Sequence, residues 1–207
     1  MEDRWLHWAK RLQAIASTGL HFGASDYDKE RYADVGEMAQ QMLACLGEVP
    51  LRRIEELVPD YAEGYATPKI DVRGAVFEGD RVLLVRERTD GLWTLPGGYA
   101  DVGLSAAENI EKEIREEASV EVKARQLYAV RHKAKYSYKP DTRDFYKFFF
   151  LCERLDEADP VAGAETMGAE FFGLDRLPEL STGRVLAADI EAAYLHRQDP
   201  RRFTAFD

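Results

Sequence analysis

The chain has 207 residues, 45% of them hydrophobic, which suits one domain plus a small accessory unit. Its formal net charge of −10 disfavours nucleic acid as a partner. The charged start MEDRWLHWAK has no apolar signal core and no apolar run approaches a membrane span, so a soluble cytoplasmic protein is expected.

In chain order, residues 4–17 place Trp5, Trp8, Ala9, Leu12, Ile15 and Ala16 on one helical face. Residues 27–46 repeat the period through Tyr32, Val35, Ala39, Met42 and Leu46, with Gly47 as C-cap. Pro50 can open a third short helix through Leu51, Ile54 and Leu57. Three helices in about sixty residues make too small a core to stand alone. Trp5 and Trp8 sit where isolated termini fray, so a surface must cover them, either the rest of the chain or a second subunit. We expect a homodimer, the commonest assembly for soluble enzymes. Pro59 to Pro68 reads as a linker between a helical unit, 1–62, and a second unit, 63–207. Cys45 and Cys152 lie in apolar patterns and read as inert core thiols.

From Ile70 the period changes to two. IDVRGAVF and RVLLVRER read as strands around a Glu78-Gly79-Asp80 turn. Gln126–His132 and Asp144–Cys152 read as two more, the latter made β-prone by Phe145, Phe148, Phe149 and Phe150. Residues 183–196 read as a closing helix. Strands interleaved with a central and a terminal helix imply an α/β layered domain.

The central helix carries the chemistry. A Trp-x-Leu-Pro-Gly-Gly turn leads into it, and Ser105 with Glu108 forms a capping box at its start. Ala106, Ala107, Ile110 and Ile114 form the apolar stripe. Glu117 falls beside that stripe, Glu113 at its edge and Glu116 further out. Three carboxylates at i, i+3 and i+4 repel one another unless a cation lies between them. Oxygen ligands suit Mg²⁺ or Mn²⁺, and a backbone group of the Gly97–Gly98 turn can join such a site. Lys112 can reach Glu108 or Glu116. A solvated acidic helix is the competing reading, which the adjoining Pro-Gly-Gly turn disfavours.

These residues resemble a Nudix box, G-x5-E-x7-R-E-U-x-E-E-x-G-U with U aliphatic. Gly98, Glu113, Ile114, Glu116, Glu117 and Val120 match. Leu104 stands where the pattern has Glu, Lys112 where it has Arg and Ser119 where it has Gly. Beyond the box, the N-terminal helical stretch, GYATPKIDVRGAVF and ETMGAEFFGLDRLP resemble the Nudix subgroup with an N-terminal helical domain. The resemblance implies a small all-α N-terminal domain before an α/β/α sandwich with a mixed sheet. It implies Mg²⁺ or Mn²⁺ on Glu113, Glu116, Glu117 and the Gly97 carbonyl. It implies hydrolysis of a nucleoside diphosphate linked to another group, of CDP-choline or ADP-ribose type, to nucleoside monophosphate and X-phosphate. Members often recruit a later loop acid as ligand or base, here Glu165 ahead of Glu170, unless these are loop acids with no role.

Arg86 and Arg88 are candidates to neutralise the diphosphate, or plain surface charges. The basic stretch from Arg131 to Lys139 could steer an anionic nucleotide and stack its base on Tyr136 or Tyr138, or simply be solvated. His132 within it is a candidate acid or base, or a structural histidine. Quaternary ammonium recognition would need aromatic faces, from among Trp93, Tyr99, Tyr136 and Tyr138. Two alternatives stay open: a noncatalytic ligand sensor on the same scaffold, disfavoured by the intact acids, and an RNA-directed activity, disfavoured by net charge.

Overall fold

The computed structural model describes residues 3–23, 25–55 and 65–207, in two units. The first gathers Met1–Lys69 with 134–136 and 140–145, and the second holds the rest. The expected boundary between 62 and 63 lies outside the described residues, as does Leu57.

In the first unit, α1 (Arg4–Phe22) starts at Asp3, whose carboxylate accepts the N–H groups of Trp5 and Leu6. Helix α2 (Asp26–Leu46) is capped by Ser25 and ends at Gly47, whose N–H returns to the Leu43 carbonyl. Residues 51–55 are helical, as Pro50 suggested. Leu6, Ala9, Leu43 and Ile54 form the core. The inner face of α1 is Leu6, Ala9, Gln13 and Ala16, the expected spacing shifted by one residue, or about 100°. Trp5, Trp8, Leu12 and Ile15 are instead 57%, 43%, 37% and 50% exposed. On this face Ala16 sits against Gly36 of α2 and the buried Lys10 is paired with Asp144 at 3.0 Å, while the bulky stripe faces outward. Cys45 is exposed, correcting the expectation of a core thiol, whereas Cys152 is buried.

The second unit is a seven-stranded sheet in the order β3-β2-β1-β5-β4-β7, with β6 also paired to β2. The strands are β1 (Lys69–Glu78), β2 (Arg81–Glu87), β3 (Trp93–Thr94), β4 (Val122–His132), β5 (Phe145–Arg154), β6 (Thr166–Gly173) and β7 (Ala205–Phe206). Antiparallel pairs dominate, while β7 runs parallel to β4, so the sheet is mixed. Helix α3 (Ala106–Ala118) covers one face, where Ile110, Ile114 and Ala118 meet Val72, Val76, Val85 and Phe150. Helix α4 (Ala187–Gln198) covers the other, where His196 meets Tyr128 and Tyr194 meets Phe77. This is the expected α/β/α sandwich. Central strand β1 is buried along Asp71–Val76 and brings two charged side chains, Asp71 and Arg73, into the interior.

Candidate active site

The Pro-Gly-Gly turn is laced to β1 by its backbone. The Val72, Gly74 and Ala100 N–H groups donate to the carbonyls of Gly98, Pro96 and Ile70 at 2.9, 3.0 and 3.0 Å. Gly97 has φ 140°, and a Cβ there would lie 2.0 Å from the Val72 carbonyl oxygen. At Gly98 a Cβ would lie 2.9 Å from Glu113 Oε2. The first glycine therefore lets the turn lie on the strand, and the second lets the Glu113 carboxylate reach the turn.

Helix α3 starts with the full capping box: Glu108 N–H donates to Ser105 Oγ, and Ser105 N–H donates to Glu108 Oε2. The acids fall in the order of burial that the helical period implied. Glu117 is 6% exposed, Glu113 is half-buried and Glu116 is exposed. Glu117 Oε2 accepts the Gly97 N–H at 2.8 Å. Burial pushes the Glu117 carboxyl up to about 8; Arg73 and the Gly97 N–H pull the other way, while Glu87 and Glu113 add to the rise. Glu113 is also raised, by burial first and then by Glu116 and Glu165, against Lys112 and Arg73. Ser119 closes the helix in the left-handed region at φ 55°, so the residue in the box's glycine position adopts glycine's conformation.

The loop before α3 is held without an acid at position 104. Lys112 Nζ bridges Asp101 at 3.0 Å and Glu116 at 3.1 Å. Buried Asn109 accepts the Asp101 N–H at 2.8 Å and donates to the Leu104 and Ser105 carbonyls. Asp101 and Asn109 thus tie this loop to the helix.

Behind the acids lies a layer that the linear pattern did not reveal. Arg73 bonds Asp71 at 2.8 Å and the Leu95 carbonyl at 3.2 Å, and Lys147 also donates to Asp71. Burial would raise the Asp71 carboxyl, but the two cations hold it at about 2. Glu87, paired with Arg184 at 3.0 Å, adds negative charge near Glu117. The available signal was IDVRGAV itself: two opposite charges at i and i+2 within an apolar strand must be paired if buried.

Among the described residues, no Lys or Arg makes a salt bridge with Glu113 or Glu117. Nor do any three Asp, Glu, His or Cys side chains among them already form a set that could hold a metal. Glu116 is drawn onto Lys112 instead. Even so, two partly or fully buried carboxylates whose proton affinity is raised by burial are an environment that favours a cation, and their all-oxygen donor set fits Mg²⁺ or Mn²⁺.

The other candidates scatter. Glu165 and Glu170 are both exposed; the charge of Glu165 acts on Glu113, whereas Glu170 belongs to β6. Arg86 Nε donates to the Gly91 carbonyl at 2.8 Å, and Arg88 Nε to the Ala164 carbonyl at 2.9 Å. His132 is half-buried, edge-on to Tyr146 at 5.6 Å. Tyr136 belongs to the first unit. Tyr138 does not offer a ring face on an open loop: it is buried, with its hydroxyl bonded to Asp189 at 2.7 Å. Trp93 packs edge-on against Phe172 at 4.6 Å, and Tyr99 is exposed.

Known proteins resemble this chain along its whole length. A model described as "NUDIX domain" matches residues 67–193, and one described as "UDP-X-like, N-terminal oligomerisation domain" matches residues 3–58. A Bacillus subtilis protein named putative ADP-ribose pyrophosphatase YjhB is 40% identical over 100% of this chain and 99% of its own length. Among solved structures, a UDP-X diphosphatase has a TM-score of 0.63 at 32% identity, covering 98% of each chain. An ADP-ribose pyrophosphatase from Streptococcus suis has a TM-score of 0.62 at 38% identity, covering 68% of this chain and 100% of its own.

Proposed function

The chain belongs to the Nudix family and is a Nudix hydrolase, and on that premise we propose that it is a divalent-metal-dependent pyrophosphohydrolase of ADP-ribose. As an enzyme it is not the noncatalytic sensor weighed above. The reading rests on one observation above all: buried Glu117 is fixed by the Gly97 N–H while Glu113 sits against Gly98. Similarity to proteins named ADP-ribose pyrophosphatase and UDP-X diphosphatase supports a nucleoside diphosphate linked to a further group, a ribose in the first case. Choline is less suited, because Tyr138 is buried and Trp93 packs on Phe172, leaving fewer aromatic faces for a quaternary ammonium.

When bound, a divalent ion held by Glu113, Glu116, Glu117 and the Gly97 carbonyl would supply Lewis acidity and offset the diphosphate's charge. The chain's own residues do the rest. Gly97 N–H orients the Glu117 carboxylate, and Lys112 governs where Glu116 points. Glu165 accepts a proton as water adds to one phosphorus. The anhydride P–O bond breaks, and nucleoside monophosphate and ribose phosphate leave.

The test is a panel of ADP-ribose, CDP-choline and a UDP-sugar, assayed for phosphate-ester products. ADP-ribose turnover should vanish with EDTA and return with Mg²⁺ or Mn²⁺. Full activity after exhaustive chelation would refute the metal reading, and a preference for CDP-choline would refute the substrate.

The second part of the proposal is a homodimer built on the outward stripe Trp5, Trp8, Leu12 and Ile15. The description of the model matching residues 3–58 supports assembly through this unit, and exposed tryptophans are favoured interface anchors. Light scattering at micromolar concentration should give about twice 23.5 kDa. Trp5→Glu combined with Trp8→Glu should shift the chain to monomer. A wild-type monomer, or a double variant that still dimerises, would count against this surface.

A further inference from the structure

The segment before β6 is fastened to the C-terminal end of α3. Val161 N–H donates to the Ala118 carbonyl at 2.9 Å. Gly163 N–H lies 3.1 Å from the Glu117 carbonyl and 2.9 Å from Thr166 Oγ1. The Thr166 hydroxyl in turn donates to the Glu117 carbonyl at 2.8 Å, and Thr166 is fully buried. Thus the last carbonyls of the acid-bearing helix, which a helix end leaves without intrahelical partners, are satisfied by this loop. Contact is close enough to require glycine: a Cβ on Gly163 would lie 1.7 Å from the Glu116 carbonyl oxygen and 2.8 Å from its carbon. From outside, Arg88 Nε donates to the Ala164 carbonyl at 2.9 Å. Glu165 follows directly in the chain.

We propose that Gly163, Thr166 and Arg88 are positioning residues that lock the 161–166 loop onto α3 and so fix where Glu165 is held relative to the acid-bearing helix. The catalytic half of this proposal rests on the reading of Glu165 as the proton acceptor; the clamp itself rests on geometry alone. The loop gives Glu165 and the helix acids one rigid frame, because the peptide groups of Glu116 and Glu117 carry both a helix carboxylate and a loop contact. Arg88 therefore serves the site by holding backbone.

The decisive variant is Thr166→Val, which keeps shape and removes the hydroxyl. Hydrogen exchange on the metal-free protein should show faster exchange of the Val161 and Gly163 amides, with α3 amides unchanged. With ADP-ribose as probe, kcat should fall roughly ten- to hundredfold with KM within about twofold, the scale of a misplaced catalytic group. Thr166→Ser should restore both readouts. In a Glu165→Gln background Thr166→Val should add nothing further to the loss, because its effect passes through Glu165. Gly163→Ala should reproduce the exchange change through the steric clash. Unchanged Val161 and Gly163 exchange in Thr166→Val would overturn the clamp. Near-wild-type turnover in Glu165→Gln would remove Glu165 as proton acceptor, and with it the catalytic half. A loss from Thr166→Val that adds in full to that of Glu165→Gln would show that Thr166 does not act through Glu165.

Discussion

Replacing Glu117 with Gln is expected to lower turnover by at least about a hundredfold, and Glu116→Gln by a similar factor, the scale of losing a charge-stabilising group. The fold should survive both, because each removes charge from a crowded acidic face. Glu117 offers a second readout in the chelated protein. Its folded-state carboxyl sits at about 8 against an ordinary 4.5, raised chiefly by burial. Between those values the folded state keeps a proton that the unfolded state has lost. The associated stability is fully present below about 4.5 and is lost as pH rises through 8. The neutral amide of Glu117→Gln does not titrate. In EDTA, the wild type should therefore lose stability relative to this variant as pH rises from 6 to 9, by up to about 3 kcal/mol. Denaturant melts at a series of pH values measure it. A flat difference across that range, together with near-wild-type kinetics in both variants, would rule out Glu117 as a buried charge in the site.

The largest loss of stability is expected from Asp71→Asn. Asp71 stands between two buried cations, Arg73 and Lys147, and bonds both. Removing only the anion leaves the buried Arg73 cation uncompensated and drives the Lys147 amine, already lowered to about 8 by burial, further down so that it gives up its proton, at a cost of about 3–5 kcal/mol in all. For a chain of this size the melting temperature should fall on the order of 10 °C. Adding Lys147→Met should recover part of the loss by replacing a buried amine that has lost its partner with an apolar side chain. Calorimetry of the single and double variants decides it, and a single-variant loss under about 1 kcal/mol would mean that the triad is not a buried ionic cluster. Turnover should fall as well, since Arg73 is both the partner of Asp71 and a charge acting on Glu117 and Glu113.

The two outcomes differ in how visible their residues were beforehand. The burial order Glu117, Glu113, Glu116 could be read directly, because an angle around a helix depends only on spacing from Ile110 and Ile114. The capping box was readable for the same local reason. Asp71, Arg73 and Lys147 were not, because Asp71 and Lys147 are separated by 76 positions and meet only when β5 pairs with β1. Likewise Tyr138, in a basic stretch that read as loop, turned inward because Asp189 of α4 supplied an acceptor 51 residues away. Short β3 and β7 carry too few residues for a period, and β6, with its run Ala169–Glu170–Phe171–Phe172, lacks clean alternation.

By itself the sequence determined what depends on neighbours along the chain: the helices, the longer strands, the Pro-Gly-Gly turn, the capped acidic helix and the family resemblance those motifs carry. Periodicity and capping are local, so they survive reading without a fold. Only the tertiary structure decided which face of α1 turned outward. The apolar period offered Trp5 and Trp8, but the face one position away turned inward, with Ala16 against Gly36 of α2 and Lys10 paired with Asp144. Only it brought Asp101 to Lys112, and seated Gly163 and Thr166 on the end of α3. Those contacts join residues far apart in the chain, and their choice is made by volume and hydrogen-bond satisfaction in three dimensions, which no spacing encodes.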